Sequence, residues 1–211
     1  MVKVKICGIT NKIDALAAVK SGCDGLGFIF YRKSPRYINP GKAKEIISVL
    51  PPKVVKIGVF VNSREKSIKA IARKCSLDML QFSGSETPEF CRRFKSFKVI
   101  KGFKVKNKID LAEVLRYRTF AYLFDTFSPG HFGGTGKTFN WKFLAEDLFG
   151  IKTPIFLAGG LNDKNVKGAV RIVDPDWVDA SSSLETSPGK KDLEKVRRFI
   201  VRAKFNSSFL V

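Results

Sequence analysis

The sequence is poor in the residues that usually announce a mechanism. Its 211 residues hold a single histidine, His131, and four cysteines, Cys7, Cys23, Cys75 and Cys91. No two of these thiols have C-x-x-C spacing, and one histidine cannot complete the usual zinc sets, so a structural zinc site is excluded and no metal is expected. No apolar run approaches the roughly 18 residues of a membrane span. The amino-terminal stretch lacks the charged, apolar and small-residue succession of a secretory leader. Together these absences predict a cytoplasmic chain with reduced thiols and no membrane partner. Nor is there a Pro/Gly/Ser-rich linker or a shift in composition, so one domain over residues 1–211 is expected.

Acidic residues are also scarce, 19 against 39 Lys+Arg, for a formal charge of +20. Such an excess attracts anions, which brings nucleic acid, acidic membrane surfaces and phosphorylated substrates into consideration. Every quarter of the chain carries part of it, whereas a nucleic-acid arm concentrates it, so no specific nucleic-acid partner is expected. The dense runs Arg64–Lys69 and Lys190–Arg198 read as solvated helix faces. A nucleic-acid-binding barrel stays as the rival from another functional class. Apolar residues at 44 % and charged residues at 27 % are ordinary globular usage and exclude disorder.

What is present is a regular alternation. Runs rich in Val, Ile and Phe predict strands at Val2–Ile6, Gly25–Phe30, Val54–Val61, Met79–Phe82, Val99–Phe103, Phe120–Phe124, Pro154–Leu157 and Trp177–Ala180. Between them apolar residues recur at helical spacing, as in Ile13-Leu16-Ala17 and Ala43-Ile46-Ile47. Caps are expected from Asn39-Pro40, Ser63 and Asn162 before the second, third and seventh helices. Strands without strict polar alternation suit a parallel sheet buried on both faces. Eight units in this length fit a single-domain α/β fold, a (β/α)8 TIM barrel, better than an open doubly wound sheet.

In such a barrel the chemistry lies at the carboxyl ends of the strands. Read in order, those ends supply Cys7-Gly8, Ser34-Pro35-Arg36, Asn62, Gln81 to Gly84, Asp125-Thr126, Gly159-Gly160 and Asp179 to Ser183. Gly159 and Gly160 before Asn162, with Ser181-Ser182-Ser183 after the last strand, suit the phosphate site these barrels build from backbone N–H groups. A tight turn that merely needs glycine is the alternative. Gly133-Gly134-Thr135-Gly136-Lys137-Thr138 imitates a nucleotide P-loop, but its first required glycine falls on His131. A glycine-rich flap over the sixth strand is the better reading. Asp125 caps a loop or serves as a general acid, Cys7 packs in the core or serves as a base, and Asp179 is equally open. An acid and a base facing across a barrel mouth would suit proton transfer beside a carbonyl or imine.

Lys5-Ile6-Cys7-Gly8-Ile9-Thr10, Ser34-Pro35-Arg36-Tyr37-Ile38, Gly58-Val59-Phe60-Val61-Asn62 and Phe124-Asp125-Thr126 resemble signature segments of the phosphoribosylanthranilate isomerase family. The segments Gly133 to Trp141, Leu157 to Leu161 and Pro188 to Asp192 follow in family order, so the resemblance spans nearly the whole chain. It implies a cofactor-free Amadori rearrangement of N-(5-phosphoribosyl)anthranilate in tryptophan biosynthesis, acting on a small phosphorylated substrate, as a monomer or homodimer. It further implies Cys7 as general base, Asp125 as general acid and Arg36 on the anthranilate carboxylate. Gly159, Gly160, Ser181 and Ser182 would hold phosphate, and Asp179 a sugar hydroxyl. An aminoaldose isomerase of the same barrel class would show two aspartates where this chain has Cys7 and Asp125. Two departures stand out. Ser83 replaces the family's histidine after the fourth strand, and Ser183 replaces a glycine after the eighth, which puts the phosphate-loop turn in question.

Overall fold

The computed structural model describes residues 1–106, 109–126 and 141–205. Eight parallel strands close on themselves: β1 (Lys3–Cys7), β2 (Gly25–Ile29), β3 (Val55–Phe60), β4 (Met79–Phe82), β5 (Lys98–Val105), β6 (Ala121–Thr126), β7 (Ile155–Leu157) and β8 (Trp177–Ala180). The ring closes between β1 and β8, where Lys5 lies opposite Asp179. Helices alternate with them: α1 (Lys12–Lys20), α2 (Pro40–Ile47), α3 (Glu65–Lys74), α4 (Pro88–Arg92), α5 (Leu111–Leu115), α6 (Trp141–Asp147), α7 (Val166–Val173) and α8 (Leu193–Lys204). The expected (β/α)8 architecture is therefore observed. The glycine-rich segment Gly133–Thr138, His131 and the tail from Asn206 lie outside the described residues.

Both faces of the strands are buried, which is why their sequences show no polar alternation. One apolar cluster fills the space between barrel and helices, with Phe28, Phe60, Phe82, Phe124 and Phe199 fully buried. A second fills the barrel interior around Ile57, Ile100, Leu123, Phe156 and Trp177. There the Phe156 and Trp177 rings stack at 4.9 Å between centroids. Among the described residues no helix is long and apolar enough to cross a membrane.

Local sequence explains most helix starts. Asn39 accepts a hydrogen bond from the Gly41 N–H with Pro40 in the first turn, as expected. Two caps differ from expectation. Helix α3 begins after Arg64 without a side-chain cap, and α7 begins after Asn165 rather than Asn162. Asn162 instead accepts from the N–H groups of Lys164 and Asn165, so it closes a turn that leads into α7. At the amino end of the barrel, Asp24, Asp78 and Asp176 each accept a strand N–H at 2.8 Å, from Val4, Lys56 and Ile155 respectively.

The run Lys190–Arg198 is not one solvated helix face. Between β8 and α8 the chain makes a 3-10 turn (Ser182–Leu184) and a hairpin of β9 (Glu185–Ser187) and β10 (Lys190–Lys191). The helix starts only at Leu193, because Asp192 caps it by accepting from the N–H groups of Glu194 and Lys195. Lys191 is left behind in the hairpin, where it is buried.

Candidate active site

A cavity of about 630 Å³ opens at the carboxyl ends of the strands. Its wall brings together Cys7, Arg36, Asp125 and Asp179, and also Gly159, Gly160, Ser181 and Ser182. These residues come from β1, the β2 loop, β6, β7 and β8, so closing the barrel is what assembles them.

Cys7 ends β1 and is only 6 % exposed. Its thiol fits because Gly27 on the neighbouring strand has no side chain; a Cβ there would lie 2.6 Å from Sγ. Burial pushes the Cys7 thiol above its ordinary value, while the nearby Lys5 and Lys191 ammonium groups pull it back. Two residues earlier on the same strand face, Lys5 is fully buried. Its Nζ donates to Asp179 Oδ2 at 2.6 Å and to Gln81 Oε1 at 2.9 Å. Burial opposes its charge, but Asp179 and Cys7 outweigh that cost and raise Lys5 above the ordinary lysine value. Asp179 is itself pushed upward by burial, against the pull of Lys5. The geometry supports an ion pair, since the 2.6 Å contact compensates a fully buried ammonium and a largely buried carboxylate.

Asp125 lies inside β6, not after it, because β5 and β6 continue pairing through Lys104 opposite Asp125 and Val105 opposite Thr126. Lys104 Nζ donates to Asp125 Oδ2, holding the carboxyl at the cavity wall. Just after β4, Ser83 accepts a hydrogen bond from Gln81 Nε2 at 2.9 Å, so the residue in the histidine position steadies the amide that receives Lys5.

Gly159 and Gly160 both have left-handed backbone, with φ of 89° and 66°. A Cβ on Gly159 would lie 2.4 Å from the Thr126 backbone N, so only glycine allows that approach. Nearby, the Ser181 hydroxyl, Asp179 Oδ1 and the Thr126 hydroxyl are buried without a hydrogen-bond partner. Of these, Ser181 and Asp179 line the cavity, and unpartnered buried polar atoms there are what a polar ligand would satisfy. Ser183 does not disturb the loop. It lies in the 3-10 turn without left-handed backbone, and its hydroxyl donates to the Leu161 carbonyl, tying the loops after β7 and β8 together.

Arg36 is already engaged. Its Nε lies 3.0 Å from both oxygens of Glu185, and Nη2 lies 2.8 Å from Oε2. Lys191 Nζ reaches the same carboxylate at 2.8 Å. Lys5, Lys104, Glu185 and Lys191 are thus site residues beyond those expected from the sequence. Lys5 was detectable, because residues i and i+2 of a strand share a face with Cys7. Among the described residues no group of three or more His, Cys, Asp or Glu side chains is arranged to hold a metal ion.

Comparison with known proteins gives one consistent result. The profile of N-(5'-phosphoribosyl)anthranilate (PRA) isomerase matches residues 4–202. An N-(5'-phosphoribosyl)anthranilate isomerase of Geotalea uraniireducens is 50 % identical over 205 residues, 97 % of this chain and 99 % of the relative. That of Trichlorobacter lovleyi is 47 % identical over 204 residues, 97 % and 98 % of the two chains. The crystal structure of phosphoribosyl anthranilate isomerase from Thermotoga maritima superposes with a TM-score of 0.91 at 44 % identity, covering 97 % of this chain and 99 % of that one. A structure of phosphoribosyl anthranilate isomerase in complex with reduced 1-(o-carboxyphenylamino)-1-deoxyribulose 5-phosphate superposes with a TM-score of 0.87 at 42 % identity, covering 97 % and 99 %.

Proposed function

The chain belongs to the N-(5'-phosphoribosyl)anthranilate isomerase family and is an isomerase of tryptophan biosynthesis, and from that premise we propose that Cys7 and Asp125 carry its Amadori rearrangement as base and acid. The observation that carries this reading is their placement. Cys7 on β1 and Asp125 on β6 lie on the wall of one cavity, three strands apart around the ring.

The chemistry needs two proton transfers at different atoms. Asp125 gives a proton to the furanose ring oxygen, the C1–O bond breaks, and the sugar opens to an imine of the anthranilate nitrogen. The Cys7 thiolate then removes the proton on C2, and the electron pair moves toward C1 and nitrogen to leave an enolamine. Its tautomerisation returns a proton to C1 and makes the C2 ketone. The Lys5 and Lys191 charges beside Cys7 favour the thiolate, which is the form that can act. Arg36 takes the anthranilate carboxylate, Asp179 a sugar hydroxyl, and Gly159, Gly160, Ser181 and Ser182 the phosphate. The buried, unpartnered Ser181 hydroxyl and Asp179 Oδ1 support the last two assignments.

This assignment gives the first prediction. Cys7→Ala and Asp125→Ala are each expected to lower kcat by about 10²-fold or more, followed through the fluorescence of the anthranilate substrate. Wild-type kcat in either variant would remove that residue from the mechanism. The proposal also treats residues 1–211 as one functional domain, acting in the cytoplasm. One solved structure is of monomers generated from the dimeric phosphoribosylanthranilate isomerase of Thermotoga maritima; for this chain sedimentation velocity separates the monomer from a homodimer.

A further inference from the structure

A guanidinium can grip a carboxylate by its side edge, through Nε and Nη2, or end-on, through Nη1 and Nη2. In Arg36 the side edge is occupied, with Nε at 3.0 Å from both Glu185 oxygens and Nη2 at 2.8 Å from one. Glu185 does not rotate freely. Its side chain is 4 % exposed, and Lys191, 0 % exposed, donates to Oε1 at 2.8 Å. The Lys191 ammonium also donates to the Ser181 carbonyl at 3.2 Å, on the phosphate side of the cavity. The hairpin that carries Glu185 and Lys191 is fastened to the start of the barrel. Lys191 N–H donates to Asp14 at 2.7 Å, and the Thr10 hydroxyl donates to the Gly189 carbonyl.

Two cations and one carboxylate leave a single positive charge, which matches one incoming carboxylate. We propose that Glu185 is a positioning residue that holds Arg36 by its side edge, so that the end-on pair Nη1 and Nη2 receives the aromatic carboxylate of the substrate. The β9–β10 hairpin thereby sets the preference for a carboxylate-bearing arylamine. This inference rests on the reading of Arg36 as the carboxylate-binding residue. The competing arrangement has the substrate carboxylate displacing Glu185 from Arg36, and it predicts the opposite sign of effect.

The test compares two inhibitors, reduced 1-(o-carboxyphenylamino)-1-deoxyribulose 5-phosphate and its phenylamino counterpart lacking the carboxylate. Glu185→Gln combined with Lys191→Met removes the bracket while leaving the local charge unchanged and no buried ammonium unpaired. It is expected to weaken the carboxylated inhibitor roughly tenfold, the effect of losing one charge-assisted hydrogen bond, with little change for the other. KM for substrate should rise with it, and kcat should fall by less. Equal weakening of both inhibitors, or tighter binding of the carboxylated one, overturns the proposal. If circular dichroism shows the double variant unfolded, Glu185→Asp replaces it, shortening the reach to Arg36 and giving a smaller loss of the same selectivity. Arg36→Ala is the separate control: an unchanged ratio of the two inhibition constants in that variant denies the reading of Arg36 itself.

Discussion

At the scale of single residues, the site is governed by how much burial costs each charge and which neighbour repays it. Burial raises the Cys7 thiol, and Lys5 and Lys191 only partly oppose the rise, with the Asp179 carboxylate adding to it. A base with a raised value is mostly protonated near neutrality, so its active fraction grows as pH increases. The logarithm of kcat/KM is therefore expected to climb with pH through neutrality and to keep climbing past about pH 8.5, where an ordinary free thiol would level off. Lys5→Met removes the strongest opposing charge and should move that limb further toward alkaline pH. A pH profile of each enzyme checks both statements, and a wild-type optimum on the acid side would count against a thiolate base. The sequence marked Cys7 and Asp125 only as candidates near strand ends, and their roles as base and acid came from the family resemblance. Glu185 was not marked at all, because its partner Arg36 lies 149 positions away and nothing local signals the contact.

At the scale of elements, the two ends of the strands do different work. Asp24, Asp78 and Asp176 lie just before β2, β4 and β8, and each fixes the first N–H groups of a neighbouring strand. Conserving that geometry is a matter of stability, since the cavity opens at the opposite end. Asp176→Ala leaves the Ile155 N–H without its acceptor and is expected to cost about 1–3 kcal/mol of unfolding free energy, measured in urea, with KM unchanged. Element boundaries were read closely where a turn with an aspartate leads into a short strand, as at Asp78 before β4 and Asp176 before β8. They were missed where pairing extends a strand, as at Asp125, or where a lysine run contains a hairpin. Lys190 and Lys191 alternate in and out of that hairpin, so its pattern is too short to carry a period of its own.

At the scale of the whole molecule, the +20 charge surrounds a site that itself holds buried cations paired with carboxylates. Such pairs are held for placement more than for stability, because desolvation consumes much of their attraction. Among the described residues every Lys and Arg except Lys5, Lys101 and Lys191 is at least partly exposed, and that excess creates a field that draws anions inward. A substrate carrying both phosphate and carboxylate should feel it. kcat/KM is expected to fall severalfold between about 20 mM and about 200 mM salt, with kcat nearly constant. A flat salt profile would leave the charge without a part in substrate capture.

The sequence by itself determined the barrel and the chemical identities at its mouth. Eight short apolar runs separated by helical spacing admit few other closed arrangements, and strand ends in such a barrel are its reactive rim. Only the tertiary structure decided which charges meet. Lys5 finds Asp179 because β1 and β8 close the ring, Lys104 finds Asp125 through the β5–β6 register, and Arg36 finds Glu185 through a hairpin folded back over the first loop. The physical reason is one of range. Hydrophobic period and turn chemistry are written between near neighbours, whereas the pairing of buried charges depends on distances that exist only after the chain has closed.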